Sequence, residues 1–245
     1  MDEVNYAART DVGKKRDHNE DCYKVNEDLG LYMIADGMGG HASGEVASMI
    51  AVTTIEQQMM QGLVLADAIE QAHLAILRGV QEGAGKHGMG TTIVATQFKN
   101  NDYTLAWVGD SRAYLWDDGV TQLSKDHSMV QMLIDSGQID EAEARVHPRK
   151  NIIYQNLGSA EMEMFHVSVE QGTLYKGQKI ILCSDGLSDE VDNDEISQTI
   201  NTCQNAGASD DEIVDRLIDA ALDNGGSDNV SVIVISAASD AQFKP

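Results

Sequence analysis

The sequence predicts an α+β fold in which two antiparallel sheets pack face to face and helices cover their outer faces. Three observations carry that expectation. Two hairpin patterns follow one another in mid-chain, two helical segments lie between the early strands, and two more lie between the late ones. The 245 residues suffice for a sizeable core, and one domain over residues 1–245 is the expected organisation.

The elements follow in order. LYMIA (31–35) is a short continuous apolar run, the pattern of a buried strand. Residues 44–60 fit a helical stripe loosely, through Val46, Met49, Ile50, Thr53 and Ile55. Residues 66–82 fit better, with Ile69, Ala72, Ile76 and Val80 on one face. TTIVATQF (91–98) and YTLAWVG (103–109) flank a Lys99-Asn100-Asn101-Asp102 turn, and RAYLW (112–116) and VTQL (120–123) flank Asp117-Asp118-Gly119. Both read as hairpins, and their adjacency predicts an antiparallel sheet. Residues 127–147 look helical and polar, and the segment 127–160 is expected to sit as an appendage over one edge. FHVSV (165–169) and KIILCS (179–184) read as strands, 194–203 and 210–223 as helices, and NVSVIVIS (229–236) as the closing strand.

Composition narrows the partners. Seventeen basic against 40 acidic residues leave a net charge of −23, which repels nucleic acid and anionic membrane surfaces. Three cysteines, Cys22, Cys183 and Cys203, form no disulfide framework and suit a reducing compartment. The opening MDEVNYAART lacks a basic region followed by an apolar one, and no run reaches the roughly 18 apolar residues of a membrane span. A cytoplasmic protein is expected.

Five acidic segments stand where strands end or begin: RDHNED (16–21), ADG (35–37), GDSR (109–112), SDGLSD (184–189) and SDN (227–229). Carboxylates converging there would repel one another severely unless divalent cations sat between them. Hard oxygen ligands suit Mg²⁺ or Mn²⁺, and the His and Cys spacings of a zinc site are absent. Asp36 is placed to bridge two ions, and Gly37, lacking a side chain, to offer its carbonyl oxygen. Arg16, a cation inside this acidic set, is either a bidentate clamp for a phosphate or a structural salt bridge to Asp17 or Glu20. Asp17, Asn19 and Asp21 have the alternate spacing of a calcium loop, but Cys22 stands where that loop needs Gly and Asp28 where it needs Glu.

The order GKKRDHNED, IADGMGGH, GMGTT (88–92), VGDSRAYL, SKDHS, LGS (157–159), LCSDGLSD and SDNVSVI resembles the bacterial metal-dependent protein serine/threonine phosphatases of type 2C, from about Ala7 to Ile235. The resemblance implies a four-layer α-β-β-α sandwich with a two-metal Mn²⁺ or Mg²⁺ centre between the sheets. By motif, Asp36 bridges both ions, Asp185 and Asp228 hold one, and Glu20 and the Gly37 carbonyl hold the other largely through water. Asp21 orders water around the ions, Arg16 grips the substrate phosphate, and Asp110 and Asp189 take a third, weaker ion. Asp110 is alternatively a turn cap. The segment 127–160 becomes a flap beside the substrate entrance. In this mechanism a water deprotonated near neutral pH attacks phosphorus in line, with no covalent enzyme intermediate. His41 is a candidate proton donor to the leaving alkoxide, or a positioner of water. Eukaryotic members carry His directly after the Asp-Gly pair, where this chain has Met38.

Serine/threonine phosphoproteins, as left by a serine/threonine kinase, are therefore the expected partners of a monomeric enzyme. A Cys-based phosphatase is excluded, because no Arg stands six positions after Cys183. A nuclease conflicts with the net charge. A phosphoprotein reader without turnover would have lost a ligand, whereas Arg16, Glu20, Asp36, Asp185 and Asp228 are all present.

Overall fold

The computed structural model describes residues 4–39, 43–160 and 165–237. One sheet has the order β1 (Asn5–Asp11), β11 (Val230–Ser236), β10 (Lys179–Cys183), β7 (Arg112–Trp116), β8 (Val120–Gln122). The other runs β2 (Asp21–Asn26), β3 (Leu31–Met38), β5 (Ile93–Lys99), β6 (Asp102–Val108), β9 (Ser168–Thr173), and the two-residue β4 (Gly90–Thr91) pairs with the end of β3. Every pairing is antiparallel.

Strand alternation builds the layers. Tyr32 and Ile34 of β3 point into the inter-sheet core with Val94, Leu105, Ile180, Leu182, Ile233 and Ile235. Their neighbours Leu31, Met33 and Ala35 face outward, onto α1 (Ser43–Met60) and α2 (Leu65–Gln81). On the other sheet Ile181, Cys183, Val232 and Val234 face α6 (Asn193–Asn205) and α7 (Asp210–Asn224). Three apolar interfaces thus separate four layers, and central strands are buried on both sides. That is why LYMIA, KIILC and VSVIVI read as near-continuous apolar runs, broken only by Lys179 and Ser231, rather than as strict alternation.

The remaining helices are short: α3 (Met129–Asp135) and α4 (Glu141–Arg145) within the 127–160 excursion, and α5 (Asp185–Ser188) directly after β10. Ser128 caps α3, accepting from the Gln131 amide, and Asp140 with Glu143 forms a capping box on α4.

Several expectations change. Strands β1 and β2 had no sequence signal. The FHVSV strand lies instead at Ser168–Thr173, with residues 165–167 outside it and His166 in a connecting segment. The two neighbouring hairpins belong to opposite sheets, because the chain crosses over at residues 109–111. In α1 the buried face is Ala47, Ala51, Val52, Ile55 and Met59, while Met49 of the expected stripe is 53 % exposed.

Candidate functional site

Strand register brings the acidic segments to one end of the sandwich. Asp21 opposes Asp36 across β2 and β3. Cys183 opposes both Arg112 and Val232, so Asp110, Asp185 and Asp228 lie beyond the matching ends of β7, β10 and β11. The Asp36 amide donates to Thr92 Oγ1 (3.1 Å), and that hydroxyl pairs with Ser111 Oγ (2.7 Å), joining the β3 end to the Asp110 loop. Two further hydroxyls, from Ser184 and Ser231, donate to Asp21 Oδ2 at 2.8 and 2.7 Å. Asn229 Oδ1 accepts the Glu20 amide at 2.7 Å. Sheet-to-sheet hydrogen bonds therefore hold this end together.

The close approach of the α1 start to β3 explains two glycines. A Cβ on Gly37 would lie 2.2 Å from the Gly44 carbonyl oxygen and 2.6 Å from that of Glu20; one on Gly44 would lie 2.6 Å from the Gly37 carbonyl carbon. Gly44 N–H in turn donates to Glu20 Oε1 at 3.2 Å. The glycine-rich turn is thus a steric demand of packing at these two positions. His41 lies outside the described residues.

Burial, then mutual repulsion, governs the carboxyls. Asp36 is raised well above the ordinary carboxylate range by burial, followed by the charges of Asp185, Asp21 and Asp110, and its carboxyl hydrogen-bonds that of Asp185. Asp110 is raised likewise, by burial and then by Asp185 and Asp126. Burial, with Asp189 and Asp228, lifts Asp185 to about 6. Burial lifts Asp21 to about 8, against the pull of the Ser231 and Ser184 hydroxyls. Asp21 Oδ1 and Asp185 Oδ1 are buried with no hydrogen-bond partner. Such acceptors are costly unless a cation or proton meets them.

Two of the carboxylates meet cations of the chain. Arg16 Nη2 lies 2.6 Å from Asp228 Oδ2, so the salt bridge expected to Asp17 or Glu20 falls on Asp228 instead. Lys150 Nζ, from the 127–160 excursion, lies 2.8 Å from Asp189 Oδ2. Among the described residues, no three His, Cys, Asp or Glu side chains stand ready-made around a single ion position. The donor set nonetheless fits hard divalent cations: it is all oxygen, mutually repulsive, and holds two orphaned carboxylate oxygens. A cleft of about 400 Å³ opens beside it, lined by Asp110, Asp185 and Asp189 together with Arg145 and Lys150.

Sequence reasoning missed a buried set beneath the cleft. Arg112 donates through Nε and Nη2 to Asp126, at 3.0 and 2.7 Å, and through Nη1 to Tyr114 Oη. His127 beside them is only 6 % exposed. Both Asp126 and His127 belong to SKDHS, so the signal was present without an assigned role.

Residues 13–223 match the family described as Protein phosphatase 2C. The chain is 39 % identical over 238 residues to the serine/threonine protein phosphatase PstP of Mycobacterium tuberculosis, a match covering 94 % of this chain and 44 % of that protein. It is 33 % identical over 244 residues to the serine/threonine phosphatase stp of Listeria monocytogenes, covering 93 % of each. The crystal structure of the PstP catalytic domain in complex with two manganese ions superposes with a TM-score of 0.83 at 34 % identity, covering 96 % of this chain and 98 % of that one.

Proposed function

The chain belongs to the protein phosphatase 2C family, and on that premise we propose that it hydrolyses phosphoserine and phosphothreonine in proteins at an Mn²⁺- or Mg²⁺-dependent centre. One observation supports this most directly: Asp21, Asp36, Asp110 and Asp185 are brought to one end of the sandwich beside Asp228, with the pKa values of those four driven up and two carboxylate oxygens orphaned. In this reading Asp36, Asp185, Asp228, Glu20 and the Gly37 carbonyl hold two core ions, Asp21 orders water around them, and Asp110 with Asp189 takes a third. Bound there, divalent cations supply a water deprotonated near neutral pH and neutralise charge on the phosphoryl group.

The chain's own residues do the positioning. Arg16, half exposed at the rim, exchanges Asp228 for two oxygens of the substrate phosphate. The cleft between α5 and residues 128–150 receives the peptide on one side of the phosphoresidue. His41 donates a proton to the leaving alkoxide or orients water. The 127–160 segment acts as a flap on a single catalytic domain. A monomer in a reducing cytoplasm, working on the products of a serine/threonine kinase, completes the reading. Three free cysteines suit the reducing compartment, and among the described residues no helix is long and apolar enough to cross a membrane.

The test is hydrolysis of phosphoserine, phosphothreonine and phosphotyrosine peptides with Mn²⁺, Mg²⁺ or chelator. Release of phosphate from the first two, abolished by chelation, is expected; turnover unaffected by chelator overturns the proposal.

A further inference from the structure

We propose that His127 is a positioning residue whose imidazole fastens the Asp110 loop to the root of the 127–160 excursion. The excursion and the Asp110 side of the acidic centre then share one support. This rests on the metal-centre reading above.

His127 is the crossing point of three segments. Its backbone N–H donates to Gly109 O at 2.9 Å, and the Gly109 N–H donates back to His127 Nδ1 at 3.1 Å. Its carbonyl accepts from the Tyr154 amide at 2.9 Å, where the excursion returns, and a bridge between Ser128 and Ile153 closes the same root. Nε2 lies 3.0 Å from Ser168 Oγ on β9. The ring stacks on Trp107 (6.4 Å between centroids, 22°) and touches Tyr154 (5.7 Å).

These contacts fix the proton. A ring nitrogen that accepts an amide hydrogen bond carries no hydrogen, so the single ring proton sits on Nε2 and points at Ser168. Burial, with a smaller contribution from His166, holds the imidazole pKa down to about 4, so the ring stays neutral. The other partner is equally constrained. Gly109 has φ +107°, and a Cβ there would meet the Thr92 side chain at 2.6 Å, so only glycine fits, and its carbonyl is held by the His127 amide as well. Asp110 is the next residue. At the far end of the excursion Lys150 reaches Asp189. The excursion therefore reaches both positions expected to take the weak third ion: it grips the backbone of Gly109, next to Asp110, through His127, and the Asp189 carboxylate through Lys150.

The test compares His127→Leu, His127→Asn and Ser168→Ala in the full chain. Asn can place Oδ1 where Nδ1 stood and still accept from Gly109; Leu cannot. Calorimetric Mn²⁺ titration should show the weak site about tenfold weaker in His127→Leu, with the tight sites unchanged, and within about threefold of wild type in the other two variants. Hydrogen exchange over residues 129–152 should quicken in His127→Leu and stay protected in His127→Asn. In the wild type, ¹⁵N NMR should show an unprotonated Nδ1 from pH 5.5 to 9. Weak-site affinity within twofold of wild type in His127→Leu, equal losses in Leu and Asn, or a protonated Nδ1 each overturns the proposal. A chain that binds no divalent ion at all defeats the metal-centre reading instead, and exchange and NMR still decide the fastening.

Discussion

Asp21 and Asp36 stand directly opposite one another on the antiparallel strands β2 and β3. Like charges in that position destabilise a ladder, and here they are also buried beside Asp185. The fold therefore favours protons, or cations in their place, at this end of the sandwich.

Stability of the metal-free chain should fall as pH rises. Asp185 and Asp21 have folded pKa values of about 6 and about 8, above the ordinary carboxyl value. Their protonated forms thus favour the fold fully below about pH 3.9, and that contribution is lost as pH climbs through 6 and then 8. Thermal melts in chelator between pH 5 and 9 should show the decline, and Mn²⁺ should flatten it.

Replacing Asp36 by Asn should separate stability from activity. Mn²⁺-dependent turnover should drop by more than the roughly 10–100-fold that loss of an outer-sphere partner costs. In chelator at pH 8 the same variant should melt higher than wild type, since one repelling carboxylate is gone. Wild-type turnover by this variant contradicts a bridging role.

Arg16→Ala should raise KM more than it lowers kcat. A hydrogen bond to a charged group contributes about 1.5–3 kcal/mol, so a loss of about 10- to 150-fold in kcat/KM is expected. Arg16→Lys should recover only part of it, because the planar fork is missing. Equal losses in kcat and kcat/KM would place the interaction in the transition state.

Gly44→Ala should destabilise the chain by about 1–3 kcal/mol through overpacking against Gly37 and Glu20. That corresponds to roughly 2–4 °C per kcal/mol in the melting midpoint. Gly119→Ala, with no atom within 4 Å of the new methyl, should leave the midpoint unchanged.

Asp126→Asn strands the Arg112 guanidinium, and breaking a buried pair costs about 3–5 kcal/mol. Denaturant melts should show this loss, and the double change Arg112→Met with Asp126→Leu should recover most of it.

Much of this architecture could be read in advance because its central strands are buried on both faces: KIILC and VSVIVI leave little choice but strand. The edge strands hid for the opposite reason. NYAARTD buries only Ala7 and Ala8, and DCYKVN shows no apolar alternation. The helix over Ser43–Met60 misled through its small residues: Ala47 and Ala51 let it pack closely, while the larger Met49 faces outward. At the site, the aspartates were visible as carboxylates at strand ends. His127 was not, because its burial depends on Trp107, Tyr154 and Ser168, distant in sequence and gathered only by the fold.

The two sheets interleave along the chain. It passes from one to the other between β1 and β2, β6 and β7, β8 and β9, and β9 and β10. The five-stranded sheet takes β1 and β11 from opposite ends of this sequence, so a cut at any loop between them divides it, although residues 21–173 carry every strand of the other sheet. Nascent chains emerging from a ribosome would accordingly wait for β11, which sits between β1 and β10, before the last crossing locks. Until then Asp228 has no fixed seat, and the acidic centre is completed only once β11 has emerged.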